Sequence, residues 1–211
     1  LFFLLMFIVN YFYGSYKIGN VSYNFDQNIN IKIISPSFSL KDYSTNSEFD
    51  QLKRLIKISE PEKNKKTLFI WPEGIFYESH LQNIALYKDL FENKFSANHL
   101  IVLGINNFVD KYDSNGKKYF NSFVILNNKV EILHVYNKVN LVPFGEFLPL
   151  EKVLSQFGLK KITPGYNSFS SGEVRKIINL GNKFNEKSIL PLICYEIIYP
   201  GKIKNKNQYP S

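Results

Sequence analysis

Three stretches carry residue types that could act together on an acyl group. In FIWPEGIFYES, Pro72 cannot donate to a sheet ladder, so an apolar strand must end near Trp71 and leave Glu73 at its C-terminal edge. Ligands collect at that edge in layered α/β folds. In YNKVNLVPFGEFLPL, Lys138 and Glu146 flank an apolar loop stiffened by Pro143, which could hold both in fixed places. In SILPLICYEIIYP stands Cys194, the only cysteine among 211 residues. A free cysteine in an apolar run is commonly core filler. Pro191 inside this run and Glu196 two residues past the thiol have little use in an ordinary core strand, and they favour a reactive cysteine. The three sets complete one another chemically. A thiol needs a base, because the thiolate is the nucleophile. A carboxylate can serve as that base. A tetrahedral intermediate needs positive or N–H donors aimed at its oxyanion. Glu, Lys and Cys therefore make a covalent acyl-transfer set. His80, His99 and His134 have no comparable context and are expected to be structural or exposed.

The elements that must position these residues follow from periodicity. The β-branched, alternating run at 29–34 predicts a strand. Phe49, Leu52, Leu55 and Ile56 at helical spacing predict a helix over 47–59. The segment 66–71 is a short apolar strand, 78–95 a second helix, and 99–106 a buried strand. The segment 117–136 is a hairpin turning at Asn127-Asn128, and 188–196 is the last strand. Buried strands with intervening helices, joined to an antiparallel hairpin, predict a mixed layered α/β sandwich.

One cysteine excludes an internal disulfide. The net charge of +8 comes from scattered lysines, with only two arginines, Arg54 and Arg175. Neither a basic helix nor an RNA-binding signature appears, so nucleic acid is not an expected partner. The opening LFFLLMFIVNYFYGSYK is uninterrupted apolar sequence to Val9, then aromatic to Tyr16. It is too short to span a bilayer, which needs about 20 apolar residues. It lacks the charged start and small-residue cleavage site of a signal peptide. We read 1–16 as the end of a truncated transmembrane helix, 17–28 as a linker, and 29–211 as the catalytic domain, cut short at its C-terminus.

The order Glu73, Lys138, Cys194 resembles that of the nitrilase (carbon–nitrogen hydrolase) superfamily. WPEG, KVNLVPFGEFLPL and ICYE, with ITPG (162–165) and FSSG (169–172), are similar to the signature blocks of its membrane branch, the bacterial apolipoprotein N-acyltransferases. The resemblance runs from about Ile29 to Pro200. It implies a nitrilase-like αββα sandwich carried on membrane helices and facing the periplasm of the bacterial inner membrane. It also implies Glu73 as general base, Lys138 as oxyanion stabiliser, Cys194 as nucleophile and Glu146 as a second essential carboxylate. Tyr195 and Glu196 would border the site, with the Tyr195 N–H a further oxyanion donor. The implied reaction moves an acyl chain from a phospholipid, via a cysteine thioester, to the amine of a diacylglyceryl-cysteine lipoprotein. It implies no metal or cofactor, and a monomer is expected. The sequence departs from the family where a Gln-x-Asn segment followed by Trp would stand: it reads ISPSFSLKDY, with Tyr43 near the Trp place. Two other readings remain open at this point. One is a soluble amidase or nitrilase using the same triad with water as acceptor; the other is a non-catalytic, membrane-attached binding sandwich.

Overall fold

The computed structural model describes residues 2–20, 29–39, 42, 45–110, 117–150, 156, 158 and 168–199. Tyr43, the ITPG segment and everything from Pro200 onward lie outside them.

The centre is a six-stranded sheet. Strands β1 (Asn30–Ile33), β2 (Thr67–Ile70) and β4 (His99–Asp110) run parallel. Strands β5 (Lys117–Leu126) and β6 (Ile132–Asn137) complete it as an antiparallel meander. The long β4 serves two partners in succession. Its first half pairs β2, from Thr67↔His99 to Ile70↔Val102, and its second half pairs the short β3 (Phe76–His80) at Ile105 and Asn106. The WPEGI segment therefore arches along the middle of β4, between two strands that share one neighbour.

Period-two alternation divides the sheet residues between its faces. Phe69, Ile101, Leu103, Val124 and Leu126 meet Leu52, Leu55 and Ile56 of helix α2 (Glu48–Ser59) and Phe91 of α3 (Lys88–Lys94) in one core. Leu68, Leu100, Val102 and Ile125 meet Ile178 and Phe184 around the hairpin of β7 (Ile178–Asn179) and β8 (Ser188–Ile189) in the other. Helices, main sheet and small sheet are thus stacked in the order of the expected sandwich. Among the described residues no α-helix follows α3 in the chain. The start of α2 is fixed by Ser47, whose hydroxyl accepts the Asp50 N–H.

Two expected elements are corrected. The segment 78–95 is not one helix: Glu78–His80 belong to β3, Leu81–Tyr87 form a 3₁₀ helix, and only Lys88–Lys94 are α-helical. The carboxylate of the buried Glu48 accepts the N–H groups of Glu78 and Ser79 and the hydroxyl of Tyr87, and so holds that chain extended against α2. The segment 188–196 is a strand only at Ser188–Ile189. Pro191 has no N–H for a ladder, and a 3₁₀ turn takes over at Cys194–Ile198.

The N-terminal stretch is a helix, α1 (Phe2–Gly19), running three residues into the expected linker; none of its side chains is buried. No helix among the described residues is long and apolar enough to cross a membrane, so the expected end of a transmembrane helix is not shown.

Candidate active site

Glu73 owes its place to the arch between β2 and β3. Gly74 takes φ +82° there, a region open to glycine without strain. Beneath the arch, β4 carries Gly104; a Cβ on it would sit 3.3 Å from Glu73 Cγ and 3.4 Å from Glu73 Cα. The bare backbone of Gly104 lets the glutamate lie against the sheet.

Lys138 follows β6 and is 1% exposed. Its ammonium lies 2.9 Å from each carboxylate oxygen of Glu146. The loop between them folds back on itself: Glu146 N–H donates to Val142 O, and Val142 N–H donates to Glu146 Oε2. Asn121, on β5, joins this pair to Glu73. Its amide nitrogen donates to Glu73 Oε1 at 2.7 Å and to Glu146 Oε1 at 2.9 Å. The structure therefore brings Glu73, Lys138 and Glu146 into one hydrogen-bonded cluster.

The FSSG segment clips the same loop from outside. Phe169 N–H donates to Glu146 O, Gly172 N–H to Lys138 O, and the Ser171 hydroxyl to Val139 O. At Gly172 any side chain would collide with the Asn137 carbonyl, whose carbon lies 2.8 Å from the place of a Cβ.

Cys194 is exposed and has φ +47°. A non-glycine residue there carries strain of about 1–3 kcal/mol, which the surroundings must over-determine. Glu196 supplies that constraint. Its carboxylate is fully buried and accepts five donors: the Tyr136 hydroxyl and Arg175 Nη2 at 2.7 Å, and the N–H groups of Val139, Asn140 and Ile193 at 3.0 Å. One side chain thus staples the cysteine turn to the two residues after Lys138. Burial pushes the Glu196 carboxyl up, but the N–H groups of Asn140 and Ile193, with Tyr136 and Arg175, more than offset it and hold the group below its ordinary value. Burial and the Glu196 carboxylate together push the Tyr136 phenol up to about 12.

Glu196, expected to border the site, lies in the interior under the cysteine turn, next to the residues after Lys138. Tyr195, beside the thiol, is 51% exposed. His99 is a core residue, accepting the Ser96 N–H and facing Glu62 O. Among the described residues no group of three or more His, Cys, Asp or Glu could hold a metal ion. A groove of about 950 Å³ between α2 and α3, lined by Lys53, Ile56, Lys57 and Lys94 among others, includes none of these site residues.

Sequence reasoning missed Asn121, Tyr136 and Arg175. A faint signal existed for Asn121, since asparagine is depleted in strands and here interrupts YFNSF between two phenylalanines. Arg175 was visible only as one of two arginines.

A strand-edge Glu, a buried Lys paired to a second Glu, and an exposed Cys on a strained turn are the residue types that thiol-dependent acyl transfer calls for. The class follows from this fold and from the match of residues 43–205 to the carbon–nitrogen hydrolase family model: the chain belongs to that family. Among curated relatives, an apolipoprotein N-acyltransferase of Brucella suis biovar 1 is 28% identical over 201 residues, covering 90% of this chain and 36% of that protein. One of Bradyrhizobium diazoefficiens is 37% identical over 91 residues, covering 43% of this chain and 16% of that one. The chain thus spans well under half the length of these relatives. A solved variant of the amidase from Nesterenkonia sp. AN1 superposes with a TM-score of 0.42 at 13% identity, covering 86% of this chain and 62% of that one.

Proposed function

We propose that this chain is the catalytic part of a membrane N-acyltransferase. It moves a fatty acyl group from a phospholipid, through a thioester on Cys194, to the N-terminal amine of a diacylglyceryl-cysteine apolipoprotein. The observation that carries the reading is the cluster of Glu73, Asn121, Glu146 and Lys138, tied through Glu196 to the turn that exposes Cys194. The relatives named apolipoprotein N-acyltransferase support this substrate class. Helix α1, with no buried residue and with Phe2, Phe3, Phe7, Tyr11 and Phe12 exposed, supports attachment to a membrane, which we place as the bacterial inner membrane with this domain on its periplasmic side.

In the first half-reaction Glu73 takes the Cys194 proton, and the thiolate attacks the ester carbonyl of the lipid. Lys138 and the Tyr195 N–H stabilise the oxyanion. Removed from water, the ammonium acts in a low-dielectric surround where its pull on an anion is strongest. Glu146 fixes its position. The intermediate collapses to a thioester, and the lysophospholipid leaves with the proton from Glu73. In the second half the lipoprotein α-amine attacks the thioester, Glu73 accepts the amine proton and returns it to the departing thiolate, and the amide is released.

The test uses the full-length protein and a phospholipid with a labelled acyl chain. A hydroxylamine-sensitive label should form on the wild type and be absent from Cys194→Ala. It should persist until a diacylated lipopeptide with a free α-amine is added, then move to that amine. Label retained in Cys194→Ala would sink the nucleophile assignment. Release as free fatty acid, indifferent to the lipopeptide, would replace the transferase by a hydrolase.

A further inference from the structure

We infer that Asn121 is a positioning residue that sets the geometry of the base carboxylate and of the oxyanion lysine at once; the inference rests on the site reading above. Asn121 is 8% exposed and sits on β5 opposite Asn106 of β4. Its amide nitrogen has two hydrogens and two acceptors, Glu73 Oε1 and Glu146 Oε1. Its backbone carbonyl accepts the Lys138 N–H at 2.9 Å. One residue thereby touches every charged member of the cluster.

The chemistry of the bridge explains why an amide suits the place. Two carboxylates that share one nitrogen repel each other as anions, and something must hold them together. A cationic bridge would do so, but it would pair with Glu73 and oppose proton uptake there. A carboxylate would add a third negative charge and turn oxygen toward oxygen. A hydroxyl has one hydrogen for two acceptors. An amide nitrogen satisfies both carboxylates with no net charge. It fixes Glu73 while leaving it an anion able to take a proton, and it leaves the single positive charge of Lys138 to Glu146 and the oxyanion. Because Glu73 works in both half-reactions, the effect of Asn121 should appear in both.

The experiment compares Asn121→Leu, which removes the donors, and Asn121→Asp, which keeps the shape, in the full-length protein. Two rates are read: thioester formation from labelled phospholipid, and alkylation of Cys194 by iodoacetamide. The second needs an activated thiol but no lipid chemistry. Each variant should lower both rates by about 10²-fold, the usual cost of a misplaced catalytic group. The phospholipid concentration at half-saturation should not change. In a Glu73→Gln background, Asn121→Leu should cause little further loss of alkylation, which depends on the group already removed, while thioester formation should fall further through Lys138. A residue that merely props the fold would multiply its loss onto that of Glu73→Gln in both rates. The inference is overturned if either folded variant alkylates Cys194 within about threefold of wild type, or if the two alkylation losses multiply. If the wild type forms no thioester while the alkylation cycle behaves as stated, the acyltransferase reading fails and the role of Asn121 stands.

Discussion

Replacing Glu196 by glutamine removes one charge and changes almost no volume, so its cost can be worked from the contacts. Glu196 Oε1 takes four donors, from Tyr136, Val139, Asn140 and Arg175, while Oε2 takes one, from Ile193 N–H. In Glu196→Gln the remaining oxygen does best in the Oε1 place, where it keeps all four. The new NH₂ then faces the Ile193 N–H, donor against donor. An unsatisfied buried N–H costs about 1–3 kcal/mol. The Arg175–Glu196 pair, whose side chains are 9% and 0% exposed, also loses its charge–charge attraction. Removing one partner of a buried pair costs about 3–5 kcal/mol, and the retained neutral hydrogen bond places this change at or below the low end. The sum is about 3–5 kcal/mol, a large share of the roughly 5–15 kcal/mol that holds a domain folded. With a urea slope of about 2 kcal/mol/M, the midpoint should fall by about 1.5–2.5 M. Urea titration followed by near-ultraviolet circular dichroism measures it. Iodoacetamide labelling below the transition should show Cys194 altered in rate as its turn loosens from Val139 and Asn140. A midpoint within about 0.3 M of wild type would refute the argument. So would unchanged stability with thioester formation abolished, because Glu196 would then be acting on substrate and not as an internal staple.

Gly172→Ala should destabilise by about 1–3 kcal/mol, the range for forcing an extra methyl into packed structure, because its Cβ collides with backbone at Asn137 and not with a yielding side chain. Thioester formation should fall with it, since Gly172 N–H holds Lys138 O; a neutral result in the urea midpoint would refute the close approach. Stability should also decline at both ends of the pH scale. The unfolded chain protonates His99 and Glu196 before the folded one does, because burial lowers His99 and hydrogen bonds lower Glu196, so stability is lost as pH falls below about 6.5 and further below about 4.5. Tyr136 is raised from 10 to about 12, so the unfolded chain ionises first and stability falls as pH rises through that window. Burial and the Glu48 hydrogen bond also raise Tyr87, so Tyr136→Phe should shrink this alkaline limb without abolishing it in denaturant midpoints measured against pH; an unchanged limb would locate it elsewhere.

The sequence by itself determined the parts that depend on neighbours along the chain. Pro72 ends β2 and leaves Glu73 at a strand edge because proline lacks an N–H, whatever the rest of the fold does. The spacing of Leu52, Leu55 and Ile56 gives α2 its buried face, and the hairpin ends where Lys138 begins the LVPFGE loop. Periodicity over-read two segments where tertiary partners override it: Glu48 pulls Glu78–Ser79 into an extended chain, and Pro191 cuts the last strand short of Cys194. The decisive hydrogen bonds of the site were not legible at all. Asn121 meets Glu73 across 48 residues, and Tyr136 meets Glu196 across 60. No local pattern encodes such pairs, because their donors and acceptors become neighbours only when β4, β5 and β6 align and the cysteine turn docks on the end of β6. The residue types were therefore visible in the chain, but the division of labour between a glutamate beside the thiol that staples the turn and an asparagine on β5 that bridges two carboxylates was decided by packing.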